Sequence, residues 1–388
     1  MWLLAWVACS APSIDADLAA AREAVAKPAP LPADWEPDLR LRLSRQALAK
    51  LTEGEVARHG AITQQVTAGP VKATPKITVE SVRVSARKPL CDDCVPLDLA
   101  LTGTVKVRTP FLNEGWKASL SAKVDVEILT EQADGAWEVK ARPRSLRDVE
   151  ISLPGVPAPI APSVSGPLRT LVETRLEREL QPMPIAKLGS KQKLPLQALR
   201  LTSDRKSILA EGRTASPTPG ALGDKAKLDG ADFVLQLSSD SLIGFAAQAA
   251  FDNGVLEQGV LVEPRTLAVD GGSLTAQVRL WHPGSPAWTR EYAVTGAASV
   301  KGDDIQLRAD ALEAVGAGPI PALDPLLAFG ESLVFDQIAD SLELSVPATH
   351  DAEVAGSPTS VTLTALDGDE AGAVVVRGTL ARDQSRSK

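Results

Sequence analysis

A chain of 388 residues is long enough for two or three domains with cores of their own, and 44% apolar with 23% charged residues is the balance of a globular protein. A formal charge of −8 with scattered basic residues points away from nucleic acid, and from an anionic membrane surface as an electrostatic partner, because no basic excess exists to neutralise phosphates. One Tyr and three His leave few side chains for acid–base chemistry near neutral pH.

The amino terminus, MWLLAWVACSAPS, is an apolar run ending in small residues and a cysteine. It resembles the signal of a bacterial lipoprotein, which implies that Cys9 becomes the lipidated first residue, although no Lys or Arg precedes the run and Trp6 stands where Leu is usual. Ser10 is not the Asp that favours inner-membrane retention in such lipoproteins, so the resemblance implies the outer membrane. The expectation is an exported bacterial protein, anchored to the outer membrane or held in the periplasm or at the cell surface. The run is too short to span a bilayer, which needs about 20 apolar residues. Residues 1–9 are read as signal and lipid-attachment segment, and 10–37, rich in Ala, Pro and acidic residues, as a tether.

From Asp38 the chain reads as a duplication. DLRLRLSRQALAKL from Asp38 and DFVLQLSSDSLIGF from Asp232 share Asp38 with Asp232, Leu41 with Leu235, Ser44 with Ser238 and Leu48 with Leu242. In the first copy Leu39, Leu41 and Leu43 alternate as a short strand, and Ser44 is placed to cap a helix ending at Gly60. Then comes CDDC, Cys91 and Cys94, flanked by Pro89 and Pro96. Such a pair serves as a redox couple, half a metal site or a structural disulfide. His59, His282 and His350 are isolated and supply no zinc partners, and the motif leads into a strand rather than opening a helix, so a loop-tightening disulfide is expected. VPLDLALTGTVKVRT and WKASLSAKVDVEI alternate as strands with one apolar face each. A Pro-rich passage then precedes the helix LRTLVETRLEREL, followed by the hairpin LQALRLTSDRKSILAEGRTA.

Residues 216–230 suit a linker between copies. In the second copy Phe233, Leu235 and Leu237 form the strand, and Ser238 or Ser239 starts a helix ending near Gly254. LTAQVRLW and EYAVTGAASV alternate, GESLVFDQIADSL repeats the helix, and VTLTALDGDEAGAVVVRGTLA repeats the hairpin with Leu201 against Leu366 and Gly212 against Gly378. The fold class expected is α+β: two tandem copies of a curved antiparallel sheet wrapped on helices, an elongated pseudo-symmetric body, spanning 38–215 and 231–381 with a disordered tail over 382–388.

ADFVLQLSSDSLIGFAAQAAFDNGVL resembles the start of a repeat in the tubular lipid-binding superfamily, whose members include the bactericidal/permeability-increasing protein. The resemblance covers element order over most of residues 38–381, with shorter helices here and no counterpart in Cys91 and Cys94 of the family's disulfide. It implies two curved sheets in tandem, each able to hold acyl chains in an apolar tunnel, and hence a phospholipid or other acyl-chain lipid as partner. A tunnel would be lined by the inward strand faces and the apolar side of each first helix. That picks Leu48, Leu51 and Val56 with Leu97, Leu99 and Leu101 in the first copy. In the second it picks Leu242, Phe245, Ala249 and Phe251 with Leu274, Ala276 and Val278. The alanines of that second helix either admit a close neighbour or leave a cavity; the pattern leaves both open.

GxSxG, HExxH, GxxxxGK and GxGxxG are all lacking, so no enzyme, cofactor or metal is expected. LDGDEAG reads as a charged turn. The alternative to lipid binding is an envelope lipoprotein whose paired β-rich domains engage another envelope protein and enclose no cavity.

Overall fold

The computed structural model describes residues 14–48, 63, 65–68, 71–85, 87–91, 94–109, 111–133, 136–179, 183–188, 195–203, 207–254, 259–284, 287–301, 304–315, 344–354 and 357–382. Cys9, Leu51, Val56, the helix expected over 330–342 and the tail beyond 382 lie outside them. The described chain is mostly β with little helix, arranged in three antiparallel sheets.

In the first copy β1 (Leu39–Ser44) is followed by β2 (Val66–Ala68), β3 (Val71–Val84), β4 (Cys94–Thr109), β5 (Leu112–Ala133) and β6 (Ala136–Ser152). Helix α2 (Ala161–Glu179), β7 (Met183–Leu188), β8 (Leu196–Ser203) and β9 (Ser207–Thr214) complete it. The second copy runs β10 (Phe233–Leu237), α3 (Ser239–Asn253), β11 (Leu261–Asp270), β12 (Ser273–His282), β13 (Trp288–Lys301) and β14 (Asp304–Val315). It ends with β15 (Leu344–Pro347), β16 (Thr349–Val354), β17 (Ser357–Gly368) and β18 (Val374–Arg382). Strands β2 to β7 form one sheet in chain order and β11 to β15 another, both curled, with bulges at Val79/Ser81 and Pro264/Thr266 adding to the bend. The remaining strands form a central sheet in the order β16-β17-β18-β10-β1-β9-β8, with strands from both copies.

The centre of that sheet is where the repeat becomes geometry. β1 and β10 pair antiparallel with Leu39 opposite Leu237, Leu41 opposite Leu235 and Leu43 opposite Phe233. Leu41 and Leu235 are the matching residues of the repeat, so a local two-fold axis passes between them. Flanking strands obey it: Leu39 opposes Gly212, and its counterpart Phe233 opposes Gly378. Ser44 N–H donates to the Asp232 carbonyl at 2.8 Å and Ser238 N–H to the Asp38 carbonyl at 2.9 Å. Each serine then caps the helix it precedes, Ser44 Oγ accepting from Ala47 N at 3.0 Å and Ser238 Oγ from Ser241 N at 3.3 Å.

The two faces of this sheet differ. One is apolar, with Ala47 packed on Phe233 and Leu380 beside Leu41 and Leu43. The other carries Arg40, Glu211 and Gln236, and here the linker is pinned rather than free. Arg40 Nη1 donates to the Gly223 carbonyl at 3.0 Å, Gln236 Nε2 to the Asp224 carbonyl at 2.9 Å, and Ala226 N to Gln236 Oε1 at 3.0 Å. Glu211 accepts from Arg40 at 3.2 Å and from Arg200 Nη2 at 2.7 Å.

Residues 14–37 do not hang free as a tether. Helix α1 (Ile14–Val25) buries Leu18 against Leu261 and Trp281, because Ile14, Leu18 and Ala21 share one face. Beyond it Ala29 N donates to the Ser216 carbonyl, and Arg200 lies over the Trp35 ring. Helix α2 begins at Ala161, not after the Pro-rich passage: its first two turns contain Pro162 and Pro167, with Val164 and Leu168 supplying the burial that offsets the backbone bond lost at Pro167.

Two outcomes are expected. Asp38 is fully buried and accepts from Thr214 N at 2.7 Å, Thr214 Oγ1 at 2.5 Å and Ser241 Oγ at 2.7 Å. Asp38→Ala strands those donors and should lower unfolding free energy by about 3 kcal/mol in urea titration. At Glu211 burial raises the carboxyl pKa, but hydrogen bonds and charge from Arg200 and Arg40 overcome it and hold the pKa below its ordinary value. Its stabilisation is therefore complete above the unfolded value of about 4.3 and is lost as pH falls through the folded one. Glu211→Gln should be less stable at pH 7 and show a shallower loss of stability below about pH 4.3.

Candidate functional site

The concave face of the first curled sheet is built by odd-numbered positions of β4. Register sets Leu97 beside Val84 and Val124, Leu99 beside Val82 and Ala122, and Leu101 beside Val79 and Leu120. Helix α2 lies on this face with Val164 and Leu168 buried among Ile77, Leu101, Val105 and Ala118. The stripe Val164, Leu168, Leu171 is the i, i+4, i+7 pattern of a helix laid on a sheet. Leu101 is 1% exposed under it, whereas Leu97 and Leu99 remain half-buried. Among the described residues the element covering Leu101 is thus the second helix. Leu48 is half-buried in the first turn after Ser44, next to Ala47, which packs on the central sheet.

In the second curled sheet even-numbered positions of β12 face inward. Val278 and Leu280 are buried with Tyr292 and Val294, and Ala276 packs against them. Leu274 continues the row and meets Leu242 of α3, together with Leu267, Val269, Leu366 and Val376. The structure therefore brings Leu242, Leu274, Ala276 and Val278 onto one face. It does not bring the far end of α3 there. Phe251 packs with Leu18, Leu261 and Trp281, and Leu261 and Trp281 are register partners on the opposite, outer face. Packed along edge strand β11, α3 passes from the inner side at Leu242 to the outer side at Phe251. Ala249 is consequently exposed and Phe245 half-buried. Helical periodicity identifies an apolar side, but it carries no information on where a sheet edge cuts across it.

Cys91 and Cys94 are disulfide-bonded, with Cα atoms 5.1 Å apart. Cys94 is buried at the start of β4, and its carbonyl accepts from Ser203 Oγ at 2.6 Å, so the loop ties the first curled sheet to β8 of the central one. Beside it the fully buried Asp125 carboxylate is held by Arg87 at 2.5 Å and Arg147 at 2.6 Å. These bonds give the pair a structural place. Among the described residues no three His, Cys, Asp or Glu side chains are grouped to hold a metal ion, and no helix is long and apolar enough to cross a membrane.

No family model matches the chain, and no curated protein matches its sequence. Among solved structures it is similar to lipopolysaccharide binding protein, at 13% identity and TM-score 0.42, over 90% of this chain and 100% of that one. It is also similar to P47 of Clostridium botulinum E1, at 8% identity and TM-score 0.45, over 89% and 100%, and to P47 from Clostridium botulinum A2, at 8% and 0.39, over 88% and 97%. Likenesses this loose add nothing to the geometry above.

The placement of the two helical and strand positions separates their mutants. Ala249→Glu should change unfolding free energy by no more than about 0.5 kcal/mol, as for other surface changes. Val278→Glu puts a carboxylate into the buried row and should cost about 3 kcal/mol or more in the same titration.

Proposed function

We propose that the chain is a non-enzymatic envelope lipoprotein, anchored to the outer membrane through acylated Cys9, whose two curled sheets hold the acyl chains of a phospholipid or similar lipid in a tandem, elongated body. One observation carries the reading. The concave rows bear large aliphatic side chains that folding leaves half-buried, and they do so in corresponding strands: Leu97 and Leu99 in β4, Leu274 in β12 with Leu242 and Leu267 beside it. In both copies this happens at the end of the curled sheet that lies against the central sheet, next to β8 in one and β17 in the other. Burying such side chains further gains about 25 cal/mol per Å² of apolar surface, a gain that an acyl chain laid along the row would supply. The row is closed where α2 seals Leu101 and Val105, so the lipid lies on the Leu97 side of that seal.

Two measurements test this. Protein purified from its own envelope and extracted with organic solvent should yield stoichiometric acyl-chain lipid, seen also as added mass in native mass spectrometry. Leu99→Trp combined with Leu274→Trp, which fills both rows with ring volume, should reduce the bound lipid several-fold in a protein that still unfolds cooperatively. An extract free of lipid sinks the reading and leaves a paired β-rich module that engages another envelope protein. The anchor is tested separately: metabolic labelling with a fatty acid should mark the parent and not Cys9→Ala.

A further inference from the structure

Five of the chain's 41 Lys and Arg residues, scattered in sequence, are gathered by strand register into one patch that the net charge conceals. On the outer face of the first curled sheet, β3 presents Lys72, Thr74, Lys76 and Thr78, β4 presents Thr102, Thr104, Lys106 and Arg108, and β5 presents Asn113, Gly115, Lys117 and Ser119. Lys72, Lys76, Lys106, Arg108 and Lys117 are all exposed, and no carboxylate stands among these positions. Glu114 opposes Val107 and so belongs to the other face. Lys72 and Arg108 are direct cross-strand partners, an arrangement of like charges that costs stability and is not required by the fold. At the end of the same patch the β4–β5 turn carries Phe111, 96% exposed. Among the described residues Phe111 is the most exposed large apolar side chain, and it stands with cations behind it on a protein of net charge −8.

We infer that this face is a docking surface for an anionic membrane leaflet, with the five cations against lipid phosphates and the Phe111 ring inserted among the headgroups. A polyanion that meets the cations through its phosphates alone, such as a nucleic-acid duplex, would leave the ring in water. A bilayer interface offers anionic charge and an apolar layer a few ångströms beneath it, in the order in which the hairpin presents its cations and its ring. The corresponding outer face of the second curled sheet differs, since α1 lies on it at Leu261 and Trp281, and Arg279 there is paired with Glu291. The two copies thus share an inner plan and differ outside. This docking stands whether or not the concave rows hold lipid.

The test uses the full chain carrying Cys9→Ser, so that no acyl anchor can bring it to vesicles. It should sediment with vesicles containing phosphatidylglycerol and not with vesicles of phosphatidylcholine alone, and added salt should weaken the binding. Lys72→Ser, Lys106→Ser and Lys117→Ser together should weaken partitioning by about fivefold per charge removed. Phe111→Ser should weaken it further and Phe111→Trp should restore it. All four side chains are exposed, so these variants keep the fold. Equal sedimentation with both vesicle types, none with either, or unchanged binding by the triple variant overturns the inference.

Discussion

The antiparallel pairing of β1 with β10 around Leu41 and Leu235 is the constraint on which the remaining architecture rests. Each strand is short, and each has its other edge occupied, β1 by β9 and β10 by β18. Separating the copies would open two interior edges of a seven-stranded sheet, exposing unpaired N–H and C=O groups that have no other partner. Because both strands come from the start of their copies, pairing them also fixes where the two first helices begin, and from there where each curled sheet springs from the centre. The contact is remote in sequence, so its loop-closure cost precedes the gain from packing, the situation of slow-folding β topologies.

Buried polarity makes that pairing specific. Asp38 joins three elements, since its carboxylate receives Thr214 of β9 and Ser241 of α3 while its own strand pairs with β10. Asp232 takes the equivalent bond from Leu380 N at 2.8 Å, so the duplicated aspartates play duplicated roles on the two sides of the axis. A one-residue slip of β1 against β10 would turn Arg40 toward the apolar face that holds Phe233 and Leu380, and part Asp38 from Ser241 of the other copy. Arg40, Glu211 and Gln236, roofed by the linker, therefore act as a register lock. Leucine alternation alone would tolerate more than one alignment.

Much of this was legible in the sequence. The constant spacing between Asp38 and Asp232, Ser44 and Ser238, and Leu41 and Leu235 reappears as capping, strand-end bonding and the position of the two-fold axis. Alternation marked β4, β5, β12 and β13, and the CDDC spacing marked the disulfide. Other parts were hidden for physical reasons. β3 holds Pro75, a residue that argues against an interior strand, yet it sits inward and buried. β6 is rich in charges, which read as loop until β5 supplies their partners: Lys140 meets Glu131, and Arg142 and Arg144 meet Glu127. Helix α1 reads as a tether until Leu261 and Trp281 provide its receptor. Ala249 and Phe251 share a helix with Leu242 but fall on other sides of an edge strand, and Lys72, Lys106 and Lys117 become neighbours only through register. Local pattern reports what a residue's own element does. It is silent on which element comes to lie across it.

Hydrogen exchange resolved to single amides tests the shared centre most directly. If β1 and β10 are one cooperative unit, the amides of residues 39–43 and 233–237 exchange at a common slow rate set by global unfolding, and urea lowers their protection in parallel. Fast exchange through residues 39–43 while residues 233–237 stay protected would mean that the second copy closes its sheet without the first, and would contradict the account.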